Sequence, residues 1–411
     1  MAALQIATIL PASSKDTPRD QVPTAAYLHI PFCRRRCFYC DFPISVVGDR
    51  ARGETSGTIA QYVEVLEREI RITKRQGRSP LETVFFGGGT PSLLSVAQVD
   101  RLLTTLDQCF GIADKAEISM EIDPGTFDLS QVQGYAAAGV NRISLGVQSF
   151  QADTLQACGR THTPEDIPLA VDLIHRAGLT NYSLDLISGL PHLTLEGWQE
   201  TLDRAIALDP AHLSIYDLTV EPGTAFAQRY QPGEAPLPSD ESTAQMYRLA
   251  QQCLTQHGFQ HYEISNYARP GFQCRHNRVY WENRPYYGFG MGAASYINHQ
   301  RFSRPRTRRE YFQWVDALEA AGGRLEHPTT PSLERLLDTL MLGLRLADGL
   351  SLHPLEAEFG QAAIARLLHC LQPHIQRGWV EQTSSHIRLT DPEGFLFSNV
   401  VLSDLFKALS E

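Results

Sequence analysis

Three cysteines fall within eight residues, Cys33-Arg-Arg-Arg-Cys37-Phe-Tyr-Cys40, directly after the apolar run Ala25-Ala-Tyr-Leu-His-Ile-Pro31. Thiolates so spaced can hold three corners of a cubane iron–sulfur cluster. Such clusters normally take four protein thiolates, so the fourth iron would stay open to a ligand able to chelate it. Zinc is a competing reading, because Cys-x2-Cys pairs often bind it. Structural zinc takes four ligands, usually from two separated pairs, and no second Cys-x2-Cys pair follows. A disulfide is the third alternative, and it requires an oxidising compartment.

A loop of this kind needs a rigid frame. From Pro23 to about residue 225, short apolar, β-branched runs alternate with longer helical patterns. The expected strands are Tyr27–Ile30, Thr83–Phe86, Ile118–Ile122, Arg142–Val147, Tyr182–Ile187 and His212–Leu218. Between the first two, Ile59, Tyr62, Val63, Leu66 and Ile70 recur at helical spacing, with Glu64–Arg68 and Glu67–Arg71 as pairs on the outer face. Further helices are expected near 95–108, 129–138, 165–177 and 194–207. Six βα units with strands buried on both faces predict an α/β fold, a parallel sheet curled by right-handed crossovers into a barrel or part of one. Chemistry in such folds sits at the carboxyl ends of the strands. The first strand leads into the cysteine loop and the second ends in Gly87-Gly-Gly-Thr-Pro91. The third ends in Glu121-Ile-Asp-Pro124, the fourth in Gln148 and the fifth in Asp185, and Arg160 lies in the loop after Gln148. Each alone could be a satisfied structural group. Packing does not explain their gathering at one rim.

Composition narrows the class. The chain has 411 residues, 43% hydrophobic and 20% charged, which suggests two or three domains. No apolar run approaches the ~18 residues of a membrane span. No basic segment precedes the short apolar stretch at the N-terminus, so no secretory signal is expected, and a cytoplasmic location is. The net charge of −10 argues against a general nucleic-acid binder. Five arginines between Arg301 and Arg309 are read as a solvated loop, with anionic groups, an acidic partner or a peripheral membrane contact as the alternative. Cys109, Cys158, Cys253 and Cys370 lack ligand spacing, and His29 is read as a core histidine.

The cysteine loop, Tyr39 before its last cysteine, Gly87–Pro91, Glu121, Gln148, Arg160 and Asp185 together resemble the radical S-adenosylmethionine superfamily, in its branch related to oxygen-independent coproporphyrinogen III oxidase. The resemblance implies a [4Fe–4S] cluster on Cys33, Cys37 and Cys40, its open iron closed by the amine and carboxylate of S-adenosylmethionine. It further implies that backbone groups of Gly88, Gly89 and Thr90 hold the methionyl amine with Glu121 nearby. Arg160 would pair with the carboxylate, Gln148 and Asp185 would bind the ribose hydroxyls, and Tyr27 and Tyr39 would flank cluster and adenine. Oxidase members carry a further cysteine two residues after the third and a longer N-terminal segment. Here that position is Phe42, and 26 residues precede Tyr27.

The segment Cys274-Arg-His276-Asn277-Arg-Val-Tyr280-Trp281 resembles the haem-binding signature of the HemW-type haem chaperones. A neutral imidazole can ligate haem iron and aromatic rings can cover a porphyrin face. The residues alone favour a loop histidine held by hydrogen bonds among packed aromatics, and the resemblance reverses that preference. Cys274 is a second possible iron ligand or a small packing residue. Further on, an apolar helical stripe from Leu333 to Leu344, patterns over Leu352–Phe359 and Ile364–Leu371, and a hairpin with a turn at Asp391–Gly394 predict a mainly helical, winged-helix-like C-terminal domain without a basic recognition helix. The expected division is a loose tail over 1–22, a partial (β/α)6 barrel over 23–265, a haem-binding connecting segment over 266–322 and the C-terminal domain over 323–411. The resemblance implies a haem chaperone passing haem to acceptor proteins; the alternative is coproporphyrinogen III oxidation by radical chemistry.

Overall fold

The structure, a computed structural model, describes residues 22–49, 52–324 and 328–410, so the tail expected over 1–22 lies outside the described residues except for Val22. Strands β1 (Ala25–Ile30), β2 (Leu81–Gly88), β3 (Ile112–Ile122), β4 (Arg142–Gln148), β5 (Tyr182–Ser188) and β6 (His212–Asp217) lie side by side in chain order, each parallel to the next. Helices α1 (Gly57–Ile72), α2 (Val96–Phe110), α3 (Leu129–Ala137), α4 (Asp166–Arg176) and α5 (Leu195–Ala207) connect them, followed by α6 (Asp240–Gln256).

The sheet runs past the six expected strands at both edges. β7 (Gln260–Glu263) and β8 (Asn266–Ala268) add antiparallel beyond β6, and β9 (Tyr287–Phe289) adds parallel beside β1. Both β8 and β9 come from the segment expected to connect domains, as do β10 (Ala294–Ile297) and β11 (Gln300–Ser303), which pair antiparallel with each other. The sheet is open, because its end strands β9 and β7 do not pair. It is also concave, since side chains from all six central strands line one inner chamber.

Apolar side chains on both faces make these runs strands. Leu28, Ile30, Val84, Phe86, Met120, Leu145, Val147, Leu184 and Leu186 are all buried. Each large apolar side chain so buried contributes about 1.5–3 kcal/mol. In α1 the predicted stripe of Ile59, Tyr62, Val63, Leu66 and Ile70 is fully buried, and Ser56 caps the helix by accepting from the Ile59 N–H. The expected outer face is solvent at Glu64 and Arg71 but not at Glu67. Arg71 pairs with Glu67 at 2.9 Å, but Glu67 is buried and also accepts from Arg101 of α2. Arg68 pairs with Asp316 and Glu319 of α8 (Arg308–Ala320) instead of Glu64. The helix packed over α1 diverted Arg68, while the Glu67–Arg71 pair formed as the spacing predicts.

The arginine run is likewise divided by packing. Arg304 is buried, with its Nε 2.8 Å from Glu69 Oε1 and its Nη1 donating to Ser295. The other Glu69 oxygen accepts from the Gly290 N–H and the Tyr311 hydroxyl. One carboxylate thus joins α1, the chain after β9 and α8. Arg301 pairs with Asp338, Arg306 donates to the Asp41 carbonyl, and Arg309 is exposed.

Helices α9 (Ser332–Gly343), α10 (Gln361–Gln376) and α11 (Ser398–Ser410) form a second apolar core with a three-stranded sheet, β12 (Leu350–Ser351), β13 (Val380–Gln382) and β14 (His386–Leu389), in the order β12-β14-β13. The turn joining β13 to β14 spans residues 383–385. Asp391–Gly394, expected to make it, docks the module on the main sheet instead: Asp391 meets His261 at 2.7 Å and Glu393 meets Arg248 at 2.7 Å. Among the described residues no helix is long and apolar enough to cross a membrane.

Removing one partner of a buried, hydrogen-bonded ion pair costs about 3–5 kcal/mol. Arg304→Leu is therefore expected to lower the stability seen in denaturant unfolding by that amount. Arg309→Ala, a surface change, should stay within about 0.5 kcal/mol; equal effects of the two would show that the Glu69–Arg304 contact does not hold these elements together.

Candidate functional site

Cys33, Cys37 and Cys40 line one cavity of about 360 Å³ together with Gly88–Thr90, Glu121, Gln148, Arg160 and Asp185. Small-molecule sites span about 300–1,000 Å³. The cysteine loop leaves β1 and is held at several points. Phe32–Cys33 pairs with Ser45–Val46, the Phe38 N–H donates to the Cys158 carbonyl, and the Phe38 carbonyl accepts from Phe226. Arg34 donates to the Gly125 carbonyl and Arg36 to the Cys40 carbonyl. His29 proves to be a core histidine, its Nε2 3.0 Å from the Pro43 carbonyl oxygen and its Nδ1 3.0 Å from the Tyr27 hydroxyl.

The glycine run at the end of β2 packs directly under this loop. The Gly89 N–H donates to the Ile30 carbonyl and the Thr90 N–H to the Phe32 carbonyl, at 2.9 and 2.7 Å. The Gly88 N–H donates to Glu121 Oε2 at 2.9 Å. All three N–H groups are committed, so a ligand amine would be met here by carbonyl oxygen and Glu121. A Cβ on Gly89 would stand 2.6 Å from the Phe32 carbonyl oxygen and 3.0 Å from Cys33 Sγ, closer than real contacts allow. Burial, helped by Asp185 and Asp123, pushes the Glu121 carboxyl up to about 8.

Asp123 is the residue that sequence reasoning left without a role. It accepts from Thr90 Oγ1 at 2.9 Å and from Arg160 Nη2. Arg160 also donates to the Gly146 carbonyl at 2.7 Å and stands 3.5 Å from Cys37 Sγ. The carboxylate expected opposite Arg160 is thus supplied by the chain itself. The signal was present, because Asp123 lies two residues after Glu121 and so on the same face.

Deeper in the cavity, Ser144 donates to Asp185 Oδ2 at 2.7 Å and Ser183 to Oδ1 at 3.1 Å, while burial raises the Asp185 carboxyl. Gln148 adopts φ 67° where β4 ends, a left-handed conformation that side chains other than glycine adopt at a cost. Tyr39 lines the cavity and packs on Phe226. Tyr216 and Asp217, at the end of β6, line it as well. The carboxyl-end rule applied to the sixth strand would have found them. Tyr27 does not line this cavity; it stacks on Phe85 in the inner chamber beneath.

His276 lies in that inner chamber, at the start of α7 (Arg275–Trp281). Its Nδ1 is 2.8 Å from Thr83 Oγ1, its Nε2 is 2.8 Å from the Tyr280 hydroxyl, and its ring stacks on Phe85. Burial, then the charge of Arg142, holds its pKa down to about 3, so it is neutral. In this arrangement both ring nitrogens are engaged, which matches the packed-aromatic alternative and leaves neither presented to a ligand. Cys274 is buried with its Sγ 3.7 Å from Glu117 Oε1, which also accepts from the His276 N–H. Asn277, Tyr280 and Trp281 turn to a second cavity of about 480 Å³, between the sheet and the C-terminal module.

The donor set fits a cluster with a chelating ligand. Burial pushes the Cys33 thiol up to about 12 and raises Cys40, so cationic iron is what would hold these sulfurs as thiolates. Beyond them the cavity offers carboxylates, an amide and hydroxyls suited to a polar ligand with amine and ribose groups.

Residues 27–205 match the radical SAM superfamily and residues 331–397 the HemN C-terminal domain. The chain is 49% identical over 406 residues to a Synechocystis protein named heme chaperone HemW, covering 95% of this chain and 98% of that one. It is 34% identical to the protein of the same name from Bacillus subtilis, covering 92% and 97%. Among solved structures, coproporphyrinogen III oxidase (HemN) from Escherichia coli superposes with a TM-score of 0.77 at 26% identity, covering 95% and 90%. With its cysteine loop, its strand-end rim and this extent of likeness, the chain belongs to the HemW family of the radical SAM superfamily.

Proposed function

We propose that the protein carries haem to acceptor proteins, and that Cys33, Cys37 and Cys40 hold a [4Fe–4S] cluster with S-adenosylmethionine in the cavity beside it. The observation that carries this reading is the convergence of the three cysteines with Glu121, Arg160 and Asp185 in one cavity, while Asn277, Tyr280 and Trp281 of the signature segment line another. The cluster, when bound, supplies an open iron that the amine and carboxylate of S-adenosylmethionine can chelate. Gly88, Gly89 and Thr90 contribute the close backbone edge, Glu121 accepts from the amine, and Arg160 shares its charge between Asp123 and the carboxylate. Gln148 and Asp185 take the ribose, and Tyr39 covers the cluster side. A reducing compartment such as the cytoplasm suits these thiols. Residues 23–265 serve the cofactor, 266–322 contact haem, and 323–411 close the second cavity. The relatives' shared name supports haem over porphyrinogen as the ligand carried. Phe42, 58% exposed at the mouth of the cysteine cavity, stands where the oxidase branch has a cysteine, so protoporphyrinogen is not an expected product.

Protein reconstituted under argon should contain about four irons and four sulfides. Its reduced spectrum should change on adding S-adenosylmethionine. Zinc without acid-labile sulfide in that preparation would rule the cluster out. Arg160→Ala or Glu121→Ala should weaken S-adenosylmethionine binding by about 1.5–3 kcal/mol with iron content unchanged. Unaltered affinity in both would place the cofactor elsewhere.

His276 remains the candidate axial ligand, and its Nε2 reaches iron only when the bond to Tyr280 opens. Haem titration should therefore give a one-to-one complex with an imidazole-type Soret band that His276→Ala removes, and Tyr280→Phe should tighten binding by removing the competing partner. A Soret band unchanged in His276→Ala would make His276 a positioning residue.

A further inference from the structure

The second cavity, about 480 Å³, is walled on one side by the ends of β6 and β8 with Tyr280 and Trp281 of α7, and on the other by Phe395 and Leu396 of the C-terminal module. Arg345, in the chain after α9, projects into it. Its guanidinium lies 5.6 Å from the centroid of the Trp281 ring. Among the described residues Arg345 makes no ion pair, and its Nε is buried without a hydrogen-bond partner. The other residues lining the cavity are neutral or apolar except Asp217, which also borders the cysteine cavity, accepts from Ser188 and makes no ion pair with Arg345. The acid that acts most on Arg345 is Glu263, whose carboxyl burial pushes up to about 8, so near neutral pH it offers little negative charge.

A cation held at the edge of an apolar slot with no ion-pair partner and an unpartnered buried Nε is costly unless an anion joins it. The ligand that relieves this cost has broad apolar faces for Trp281, Tyr280 and Phe395 and an acidic group at its rim. We infer that Arg345 anchors a propionate of the porphyrin carried in this cavity. This rests on the haem-carrying reading above and adds the recognition of the ligand's carboxylate by a residue outside the signature segment. A guanidinium suits that task, being permanently charged, planar and able to donate two parallel hydrogen bonds to one carboxylate. The placement also gives the C-terminal module a part in binding, because Phe395 and Leu396 cover the face opposite α7.

The test uses the full chain and two fluorescent probes, zinc protoporphyrin IX and its dimethyl ester, titrated into wild-type protein and Arg345→Met. Wild-type protein is expected to bind the free acid about 10–100-fold more tightly than the ester, the range for a charged hydrogen bond. In Arg345→Met the two probes should bind alike, at about the wild-type affinity for the ester, with iron content after reconstitution unchanged. Wild-type protein that binds both probes equally, or a variant that keeps the preference for the acid, would overturn the role of Arg345 while leaving haem carriage intact. Wild-type protein that binds neither probe nor haem would overturn both. The acid–ester comparison on wild-type protein needs no variant, so the inference stays testable if Arg345→Met folds poorly.

Discussion

The closeness of the β2 end to the cysteine loop is the constraint on which the rest of the site depends. In the parallel register of β1 and β2, Ile30 lies opposite Gly88, so the chain turning into the cysteines crosses directly over Gly88 and Gly89. Hydrogen bonds from Gly89 to Ile30 and from Thr90 to Phe32 close the gap. A methyl group at Gly88 would strike the His29 ring at 2.5 Å, and that ring fixes Pro43 on the far side of the loop. Any side chain here would lift the three sulfurs away from the carboxylates of β3 and β5. Glycine is used because the backbone itself has to be the surface.

Concavity follows from the same sheet and concentrates charge. Glu121, Arg142 and Asp185 face one chamber, and Asp123 pairs with Arg160 in the adjoining cysteine cavity. In such surroundings unpaired charge is expensive, so carboxyls rise in pKa and histidines fall. Glu121 pushed up to about 8 and His276 held down to about 3 are two consequences of one dry interior. A ligand bringing its own amine and carboxylate would enter a site whose charges are already positioned, so little reorganisation would accompany binding.

The two cavities share walls. Tyr216 and Asp217 border both the cysteine cavity and the one beneath the C-terminal module, and Tyr216, Asn277 and Tyr280 also border the inner chamber holding His276. Changes in the cysteine cavity and in the second cavity therefore act on the same few side chains. The signature segment lies on a single short helix whose residues four apart, His276 and Tyr280, bond to each other, while Trp281 lines the second cavity and Asn277 borders both that cavity and the inner chamber. One helix thereby speaks to two compartments.

Local information was enough for much of this. Short apolar, β-branched runs, the helical stripe of α1, and glycines, acids and cysteines recurring at strand ends made the six βα units and the cysteine rim legible, because each depends on residues a few positions apart. What depended on distant packing was not legible. The pairing of Arg68 with α8, the burial of Arg304 against Glu69, the capture of Arg160 by Asp123 and the addition of β8 and β9 to the sheet edges join residues tens to hundreds of positions apart. His276 illustrates the division most clearly: its spacing to Tyr280 was in the sequence, but whether its ring faced a ligand or the interior was decided by Thr83 and Phe85 arriving from β2. By itself the sequence determined which chemistry the chain could perform and the order of its elements. Only the tertiary structure decided which charges meet, because a buried charge takes whichever partner the packing brings within reach.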